Sequence, residues 1–329
     1  MREALYYETG TQGAVQCRLC PYQCSISASR HGKCGVRLNR NGVLHTMTYG
    51  RISTEQVLPV ERFSMYHFHP GSKILLVGSM GCNMRCPFCN TARVSQMGTR
   101  TVFVSPEELV KRALEKKVQG VAFGVNEPVV FLEYILDAAP LLKKAGLFIM
   151  VNTNGFIHST PLFDLLEVID AVRVDFKGFD ERFYQAITGG YRSEIMQAVS
   201  SINVKRHLEI SALVIGDVND DEEKIDAFFN WMLDLQPEPP PLHLLQYAPA
   251  YQYEKPATHH LRMYYLQERA RRTLPFVYLS NMEESRRENT ICPKCKKPLI
   301  RRESLMNVET ENLNTGECPH CGEPVFIVT

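Results

Sequence analysis

Buried-type strands alternate with amphipathic helices through the middle of this chain of 329 residues. The predicted strands are 73–78, 118–124, 147–153, 171–176, 208–215, 242–246 and 276–279, and the predicted helices include 106–117, 131–144, 181–187, 194–203, 222–235, 260–271 and one that starts at 160. Repeated strand–helix units imply a parallel α/β sheet with right-handed crossovers, either doubly wound or closed into a complete or partial barrel. No GxGxxG motif follows the first strand, which disfavours a dinucleotide-binding fold.

Polar residues stand at the carboxyl ends of several predicted strands, the edge at which α/β proteins place their sites. In chain order they are Asn126 and Glu127, then Asn154, then Asp175 and Lys177, with His243 inside the sixth strand. Each has a second interpretation. Asp175 and Lys177 could form an ion pair at the rim, Asn154-Gly155 is a common turn sequence, and His243 could pack within the sheet.

The first predicted strand runs into a CxxxCxxC motif formed by Cys82, Cys86 and Cys89. Three thiolates at this spacing can hold three corners of a four-iron cluster and leave the fourth iron without a protein ligand. An open iron can bind a small molecule, as a catalytic site requires. Burial as small apolar side chains is the alternative, but it does not explain a loop bracketed by Gly81 and Pro87.

The other eight cysteines form two complete quartets, which leaves none of the eleven over. The first quartet is Cys17, Cys20, Cys24 and Cys34, and the second is Cys292, Cys295, Cys318 and Cys321. The second consists of two CxxC pairs separated by 22 residues, a zinc-ribbon spacing. Zinc is favoured for both quartets, giving two Zn²⁺; an auxiliary iron–sulfur cluster is the alternative for the first quartet and rubredoxin-type iron for the second.

These groups predict three modules: residues 1–70 with the first quartet, a core over 71–285, and a ribbon over 286–329. Charge is balanced, with 37 Lys and Arg against 36 Asp and Glu, so no polyanionic partner is indicated. The ribbon's basic residues lack interleaved aromatic residues, which disfavours nucleic acid. The chain shows no signal peptide and no membrane-length apolar run, and its odd cysteine count favours a reducing compartment, so we expect the cytoplasm.

The central motif, with Phe88 before its last cysteine, resembles the signature of radical S-adenosylmethionine (SAM) enzymes, and the polar strand ends resemble the SAM contacts of pyruvate formate-lyase activating enzymes. Further motifs resemble the radical SAM member of the AmmeMemoRadiSam group. They are 17–37, 49–51, 69–73, 126–128, 174–179, 213–220 and the two terminal CxxC pairs. The sequence departs from that pattern after the third cysteine, where Asn90-Thr91-Ala92 stands, and we expect this to affect the substrate.

The resemblance implies a partial (β/α)6 TIM-like barrel of radical SAM type, with an N-terminal four-cysteine module and a C-terminal zinc ribbon. It implies a 4Fe-4S cluster and SAM as cofactors, and no catalytic residue is assigned beyond the cluster. Phe88 is expected to cover adenine, Asn126 and Glu127 to meet the ammonium group of SAM, and Lys177 its carboxylate. Asn154 and Asp175 are expected near the ribose or the ammonium group, and His243 completes the predicted cofactor set.

The expected reaction is reductive cleavage of SAM to methionine and a 5′-deoxyadenosyl radical, which abstracts hydrogen from a protein or peptide. The enzyme would activate a glycyl radical or modify a side chain, with an external one-electron donor such as flavodoxin or ferredoxin. Tyr66, Tyr247 and Tyr251 are placed on the substrate side by position alone. A small metabolite is the alternative substrate. A zinc-bearing interaction or nucleic-acid module would explain the quartets but not the open cluster.

Overall fold

The computed structural model describes residues 1–282, 288–313 and 316–329. Its strands are β1 Arg2–Glu3, β2 Tyr7–Thr9, β3 Val15–Cys17, β4 Ser25–Ile26, β5 Arg37–Arg40, β6 Val43–Thr46, β7 Arg51–Ile52, β8 Thr54–Pro59, β9 Lys73–Gly78, β10 Val102–Phe103, β11 Gly120–Phe123, β12 Phe148–Thr153, β13 Ala171–Phe176, β14 His207–Val214, β15 Leu242–Gln246, β16 Val277–Ser280, β17 Thr290–Ile291, β18 Pro298–Ser304 and β19 Asn307–Thr310. The helices are α1 Ala92–Ser95, α2 Pro106–Glu115, α3 Leu132–Lys144, α4 Ser159–Val168, α5 Glu181–Phe183 with a π-helical turn at Tyr184–Thr188, α6 Arg192–Lys205, α7 Glu222–Leu233 and α8 His260–Ala270.

The central sheet has the order β16-β15-β14-β13-β12-β11-β9-β8, parallel throughout except for the antiparallel edge strand β8. No pairing joins β8 to β16 among the described residues, so the sheet curves into an open, partial barrel, as the resemblance implies. Strands β11 to β15 are almost entirely buried because helices cover one face and the barrel interior the other. The last predicted strand is present as the seventh parallel strand.

Local sequence signals explain where the helices of the barrel begin. The Ser105 hydroxyl caps α2 by accepting from the Glu108 N–H at 3.2 Å, with Pro106 in the first turn. The Asp221 carboxylate caps α7 by accepting from the Lys224 N–H at 3.1 Å. Each crossover returns the chain so that the next parallel strand begins at the same end of the barrel. All the parallel strands therefore end at one rim.

The N-terminal module consists of β1 to β7, arranged in two three-stranded antiparallel sheets and a β7–β10 pair. It contacts the barrel through Arg37, which lies at the start of β5 and donates to the Glu133 carboxylate on α3 at 2.5 Å. Residues 54–59, which the sequence places in this module, instead form strand β8 of the barrel sheet. Half of the β8 residues are polar and only Leu58 is buried, so its sequence lacks a clear strand pattern, since an edge strand needs few buried side chains.

The C-terminal module is the three-stranded sheet β17-β18-β19. It lies against the open side of the barrel, where the Arg302 guanidinium donates to the Tyr66 carbonyl at 2.8 Å and the His69 N–H donates to the Val328 carbonyl at 2.6 Å. The predicted module boundary at 285/286 falls outside the described residues. None of the helices in the described part of the chain is both long and apolar enough to span a bilayer.

Candidate active site

A cavity of about 640 Å³ opens at the rim formed by the carboxyl ends of the barrel strands, a volume typical of small-molecule sites. Its wall contains all three cysteines of the central motif and most of the polar residues that the sequence predicted. The predicted residues in the wall are Cys82, Cys86, Phe88, Cys89, Asn126, Glu127, Asn154, Asp175 and Lys177. The polar residues at the strand ends, which we expected at one edge of the sheet, therefore line one cavity.

The cysteine loop follows β9 directly, and Gly81 sets its path. Gly81 has φ +84°, and a Cβ atom there would lie 2.6 Å from the Val36 side chain and 3.1 Å from the Cys34 carbonyl oxygen. Only glycine combines this backbone conformation with so close an approach. The N-terminal module thus packs directly behind the loop that carries the three thiols.

The thiols of the loop share a water-poor environment. Burial raises the pKa of Cys82 well above its usual value and that of Cys86 to about 12, and the neighbouring thiols add to both shifts. The Lys177 ammonium acts in the opposite direction on Cys86. The Sγ atom of Cys89 lies 3.2 Å from the Ser95 hydroxyl. Thiolates in such a place require a nearby cation, and a metal centre supplies one.

Asn126 and Asn154 brace the cysteine loop, a role that the sequence did not predict. The Asn126 amide donates to the carbonyls of Met80 and Gly81, both at 3.1 Å, and its oxygen accepts from the Ser79 N–H at 2.7 Å. The Asn154 amide donates to the Asn83 side chain at 2.9 Å and lies 3.8 Å from the Cys82 sulfur. Their polar atoms are therefore largely engaged within the protein.

Glu127 is buried at the end of β11 and keeps one acceptor site for a ligand. Its carboxylate accepts from the Thr153 hydroxyl at 2.6 Å, the Asn154 N–H at 2.9 Å and the Val129 N–H at 3.1 Å. A carboxylate has about four acceptor sites, so one is left for a donor in the cavity. Burial raises the pKa of Glu127 to about 7, although these three hydrogen bonds oppose the shift. A cationic ligand would favour the ionised form.

Asp175 and Lys177 lie on one face of β13 and its extension, and they form an ion pair at 3.2 Å within the cavity wall. Arg173 completes the group, with its guanidinium 2.8 Å from Asp175. Burial alone would raise the pKa of Asp175, but Arg173 and Lys177 outweigh it and lower the pKa. Asp175 and Lys177 therefore form an ion pair and also line the cavity, so the two interpretations drawn from sequence are compatible.

Comparison with known proteins identifies the type of site. A sequence model of the radical SAM superfamily matches residues 76–229. An uncharacterized protein of Methanocaldococcus jannaschii is 29% identical, and the alignment covers 100% of both chains. The pyruvate formate-lyase-activating enzyme of Clostridium pasteurianum is 28% identical, and the pyruvate formate-lyase 1-activating enzyme of Escherichia coli K12 is 30% identical. The aligned segments span 46% and 47% of this chain and 65% and 66% of those two enzymes.

Residues 76–229 thus form a radical SAM domain. The chain is an enzyme related to the pyruvate formate-lyase activating enzymes. A solved radical SAM methyltransferase from Sphaerobacter thermophilus superimposes on the structure with a TM-score of 0.50 at 19% identity, covering 67% of this chain and 70% of that one. This last likeness concerns the fold alone.

A radical SAM domain implies a 4Fe-4S cluster and SAM, and the cavity suits both. Three thiols face it, while the other eight cysteines, all described, belong to the two quartets. Buried polar atoms of the wall also lack protein partners among the described residues. They include the side-chain oxygens of Asn152 and Ser211, the Oε2 atom of Glu61 and the Nε atom of Arg173. Donors and acceptors without partners in a cavity wall are suited to a polar ligand.

His243 does not reach the cavity of this radical SAM enzyme. It is fully buried in β15, where its Nε2 atom lies 2.7 Å from the Glu209 carboxylate and its ring meets Tyr66 edge-on. Its side chain lies below the rim, and Ser211 of the neighbouring strand lines the cavity instead. Three tyrosines were predicted on the substrate side. Tyr66 and Tyr247 line the cavity, whereas Tyr251 is exposed and does not belong to the described wall.

The sequence analysis did not predict several wall residues, because they lie two positions before the strand ends. Asn152 and Arg173 lie two positions before Asn154 and Asp175, and therefore on the same face of their strands. The alternation of polar residues could have found both. Glu61, from the short helical turn at Val60–Phe63, carried no such signal. Asn90 and Thr91, where the sequence departs from its relatives, also line the cavity, whose substrate the departure is expected to affect.

The C-terminal quartet is drawn together tightly. The Sγ atoms of Cys292 and Cys321 lie 3.7 Å apart, as do those of Cys295 and Cys318, and all four lie within 4.8 Å of one another. The quartet can therefore share one metal ion. Among the described residues, no other group of three or more cysteine, histidine or acidic side chains is gathered this closely.

Proposed function

We propose that Cys82, Cys86 and Cys89 hold a 4Fe-4S cluster with one open iron, and that SAM binds to that iron within the cavity. The observation that carries the proposal is the set of three cavity-facing thiols on one loop at the end of β9, with no fourth cysteine in the described wall. Once reduced, the bound cluster supplies the electron that cleaves SAM into methionine and a 5′-deoxyadenosyl radical, which abstracts a substrate hydrogen.

The residues around the loop support distinct contacts with SAM. Glu127, with one acceptor site left, is suited to the ammonium group, and Lys177 to the carboxylate. Phe88 lies between Phe183 and Tyr253, with ring centroids 6.1 and 5.9 Å away, and can cover the adenine ring. Asp175 is suited to the ribose hydroxyls. Asn126 and Asn154 serve chiefly by holding the cysteine loop in shape.

We propose a protein or peptide as the substrate, either for activation of a glycyl radical or for modification of a side chain. The named function of the relatives, activation of pyruvate formate-lyase, supports this choice. An external one-electron donor of the flavodoxin or ferredoxin type would reduce the cluster. We assign zinc to the C-terminal quartet because its sulfur spacing matches a tetrahedral ion with Zn–S bonds of about 2.3 Å.

A small polar metabolite is the second candidate, and one observation favours it. The part of the wall formed by Glu61, Arg173 and Ser211 contains both donors and acceptors without partners among the described residues. Such a lining can bind a charged small molecule as well as a polar side chain. The two candidates differ in the size of the substrate and not in the chemistry at the cluster.

The first experiment tests the SAM reaction itself. After anaerobic reconstitution with iron and sulfide, dithionite and SAM should yield 5′-deoxyadenosine, and Cys86→Ala should abolish both the central cluster and the product. Cys318→Ala is the matched control, because it removes a cysteine outside the cavity and should leave SAM cleavage in place. A cluster-loaded wild-type protein that forms no 5′-deoxyadenosine would overturn the proposal.

The second experiment separates the two substrate classes. An anaerobic extract of the source cell is divided by ultrafiltration, and each fraction is added to the reconstituted enzyme. We expect the fraction retained by the membrane to increase 5′-deoxyadenosine formation, and protease treatment to remove that increase. An increase from the filtrate alone would favour the metabolite instead.

A further inference from the structure

The four thiols of the N-terminal quartet converge on one point of their module. Cys17 ends β3 and Cys24 precedes β4, and the Cys17 N–H donates to the Cys24 carbonyl at 2.9 Å. Cys20 lies in the turn between them, and Cys34 approaches from the loop before β5. The Lys33 N–H lies 3.5 Å from the Cys24 sulfur, which brings the loop that carries Cys34 beside the other cysteines. Four cysteines brought together in this way are suited to holding a metal centre.

The spacing of these thiols differs from that of a single-ion site. Four thiolates on one zinc ion lie about 3.8 Å apart, since each Zn–S bond is about 2.3 Å long. The C-terminal quartet has this spacing, but in the described structure no three of the N-terminal thiols come within 4.8 Å of one another. A set of thiols that converges yet stays further apart suits a larger centre, in which each thiolate binds a different iron.

The buried guanidinium of Arg37 lies beside this quartet, and one of its N–H donors has no partner among the described residues. Arg37 is 1% exposed and interacts electrostatically with both Cys17 and Cys34. Its terminal nitrogens donate to the Leu5 carbonyl and the Glu133 carboxylate, while its Nε atom has no partner among the described residues. An N–H group in this place can donate to a thiolate or to an inorganic sulfide. A buried donor without a partner, three residues after Cys34, is consistent with a negatively charged group nearby.

We propose that Cys17, Cys20, Cys24 and Cys34 hold a second 4Fe-4S cluster, ligated by cysteine at all four irons and therefore unable to bind SAM. Zinc was favoured for this quartet from sequence, and the spacing of the thiols leads us to the alternative. The proposal concerns this quartet alone and does not rest on the proposed function of the cavity.

The second cluster would lie directly behind the catalytic loop. The Arg85 guanidinium, within the central motif, donates to the Lys33 carbonyl at 2.8 Å. A Cβ atom on Gly81, next to Cys82, would lie 3.1 Å from the Cys34 carbonyl oxygen. Tyr22, two residues after Cys20, lies edge-on to Phe156 with the ring centroids 5.1 Å apart. Its hydroxyl donates to the Gly189 carbonyl. The two cysteine loops are thus in direct contact, a closeness suited to electron exchange between clusters.

The test uses a full-length variant that lacks the central cluster, Cys82→Ala/Cys86→Ala/Cys89→Ala, reconstituted anaerobically with iron and sulfide. We expect about four irons per chain to remain, and dithionite to produce a paramagnetic signal that SAM does not alter. Adding Cys20→Ala and Cys24→Ala to this variant should remove that iron. About two zinc ions and no iron in the triple variant would overturn the proposal.

Wild-type protein supplies a second measurement should the triple variant fail to fold. It should contain about eight irons and about one zinc per chain, and Cys295→Ala/Cys318→Ala should lose only the zinc. About four irons and two zinc ions would contradict the second cluster. Failure of SAM cleavage would not change these metal counts, so the two proposals can fail separately.

Discussion

In the C-terminal quartet the sulfur atoms of Cys292 and Cys321 lie 3.7 Å apart, whereas in the N-terminal quartet no three described thiols come within 4.8 Å of one another. Both quartets contain four cysteines, and both close small antiparallel modules. The spacing of the thiols alone distinguishes a centre of one ion from a centre of several. We infer that cysteine count indicates a metal site, whereas sulfur spacing indicates whether the site suits a single ion or a cluster.

The two modules are also attached differently, although each uses one buried arginine. Arg37 ion-pairs with the Glu133 carboxylate of α3 at 2.5 Å. Arg302 donates to the Tyr66 carbonyl and lies over the Tyr66 ring, with the Glu61 carboxylate, the nearest among the described residues, 3.9 Å away. The N-terminal attachment is thus a charge pair, whereas the C-terminal attachment depends on carbonyl and ring contacts.

Their positions relative to the cavity differ as well. Val36 and Cys34 of the N-terminal module pack behind Gly81 and support the cysteine loop. The C-terminal module reaches the cavity directly, since Leu305, in the turn between β18 and β19, forms part of its wall. We infer that the first module serves the cluster and the second serves the substrate.

The largest expected effect separates the modules by their metals. A zinc chelator under anaerobic conditions should open the ribbon, because structural zinc contributes on the order of 10 kcal/mol to folding in small zinc modules. Hydrogen exchange should then show loss of protection at β17 to β19 while β3 to β6 stay protected. Ferricyanide, which oxidises iron–sulfur clusters, should produce the reverse pattern. Equal opening of both modules by the chelator would contradict the distinction.

The next effect compares the two arginines. Arg37→Met should destabilise the protein by about 3–5 kcal/mol, because it leaves the Glu133 carboxylate buried without its partner. Arg302→Met should cost less, since none of the carboxylates in the described part of the chain lies within hydrogen-bonding distance of that guanidinium. Denaturant unfolding of the two variants measures the difference. The double variant Arg37→Met/Glu133→Gln should recover part of the loss, and equal losses in the two single variants would contradict the comparison.

A smaller effect tests the link between ribbon and substrate. Leu305→Ala should lower substrate-dependent turnover by about tenfold, equivalent to roughly 1.4 kcal/mol, through lost packing in the cavity. SAM cleavage without substrate should stay unchanged, because the cluster loop is untouched. Met306→Ala is the control, as Met306 lies in the same turn but is 67% exposed. Equal effects of the two variants would argue against a substrate-facing role for Leu305.

The sequence predicted the barrel better than it predicted the interior of the site. Strands β13 and β15 have the predicted bounds, because apolar runs between turn signals mark buried strands well. The edge strand β8 was missed, since half of its residues are polar and its antiparallel pairing with β9, the next strand, lies outside the repeated strand–helix pattern. The segment 181–187 was expected as one helix, but it becomes a short helix and a π-helical turn that ends at Gly189, where φ is +79°.

Within the site, the polar strand ends predicted where the cavity lies. The hydrogen bonds, however, give some of the predicted residues a different role. Asn126 and Asn154 were expected to bind SAM, yet their amides are engaged by the cysteine loop, whose carbonyl positions no sequence pattern indicates. His243 was placed in the cofactor set, but it lies one alternation before the cavity-lining Leu245 on the same face of β15, where it pairs with Glu209. Sulfur spacing in the quartets depends on side-chain geometry, so loop lengths alone could not separate zinc from a cluster.

The smallest expected effect concerns pH and the acidic partners of the two arginines. Burial raises the pKa of Glu61 above the ordinary 4.5, and the attraction of Arg302 does not outweigh it. Its contribution to stability is therefore fully present below pH 4.5 and declines as the pH rises through the raised pKa. Glu61→Gln removes this decline and keeps an oxygen for the Gly71 N–H, so its melting temperature should exceed that of the wild type by roughly 1–2 °C at pH 8 and match it near pH 4.

Glu133→Gln should instead lower the melting temperature at pH 8, because Glu133 accepts from both Arg37 and the Leu5 N–H. Opposite signs at one pH would establish that one carboxylate attaches its module and the other does not, whereas equal signs would remove the contrast between the two attachments.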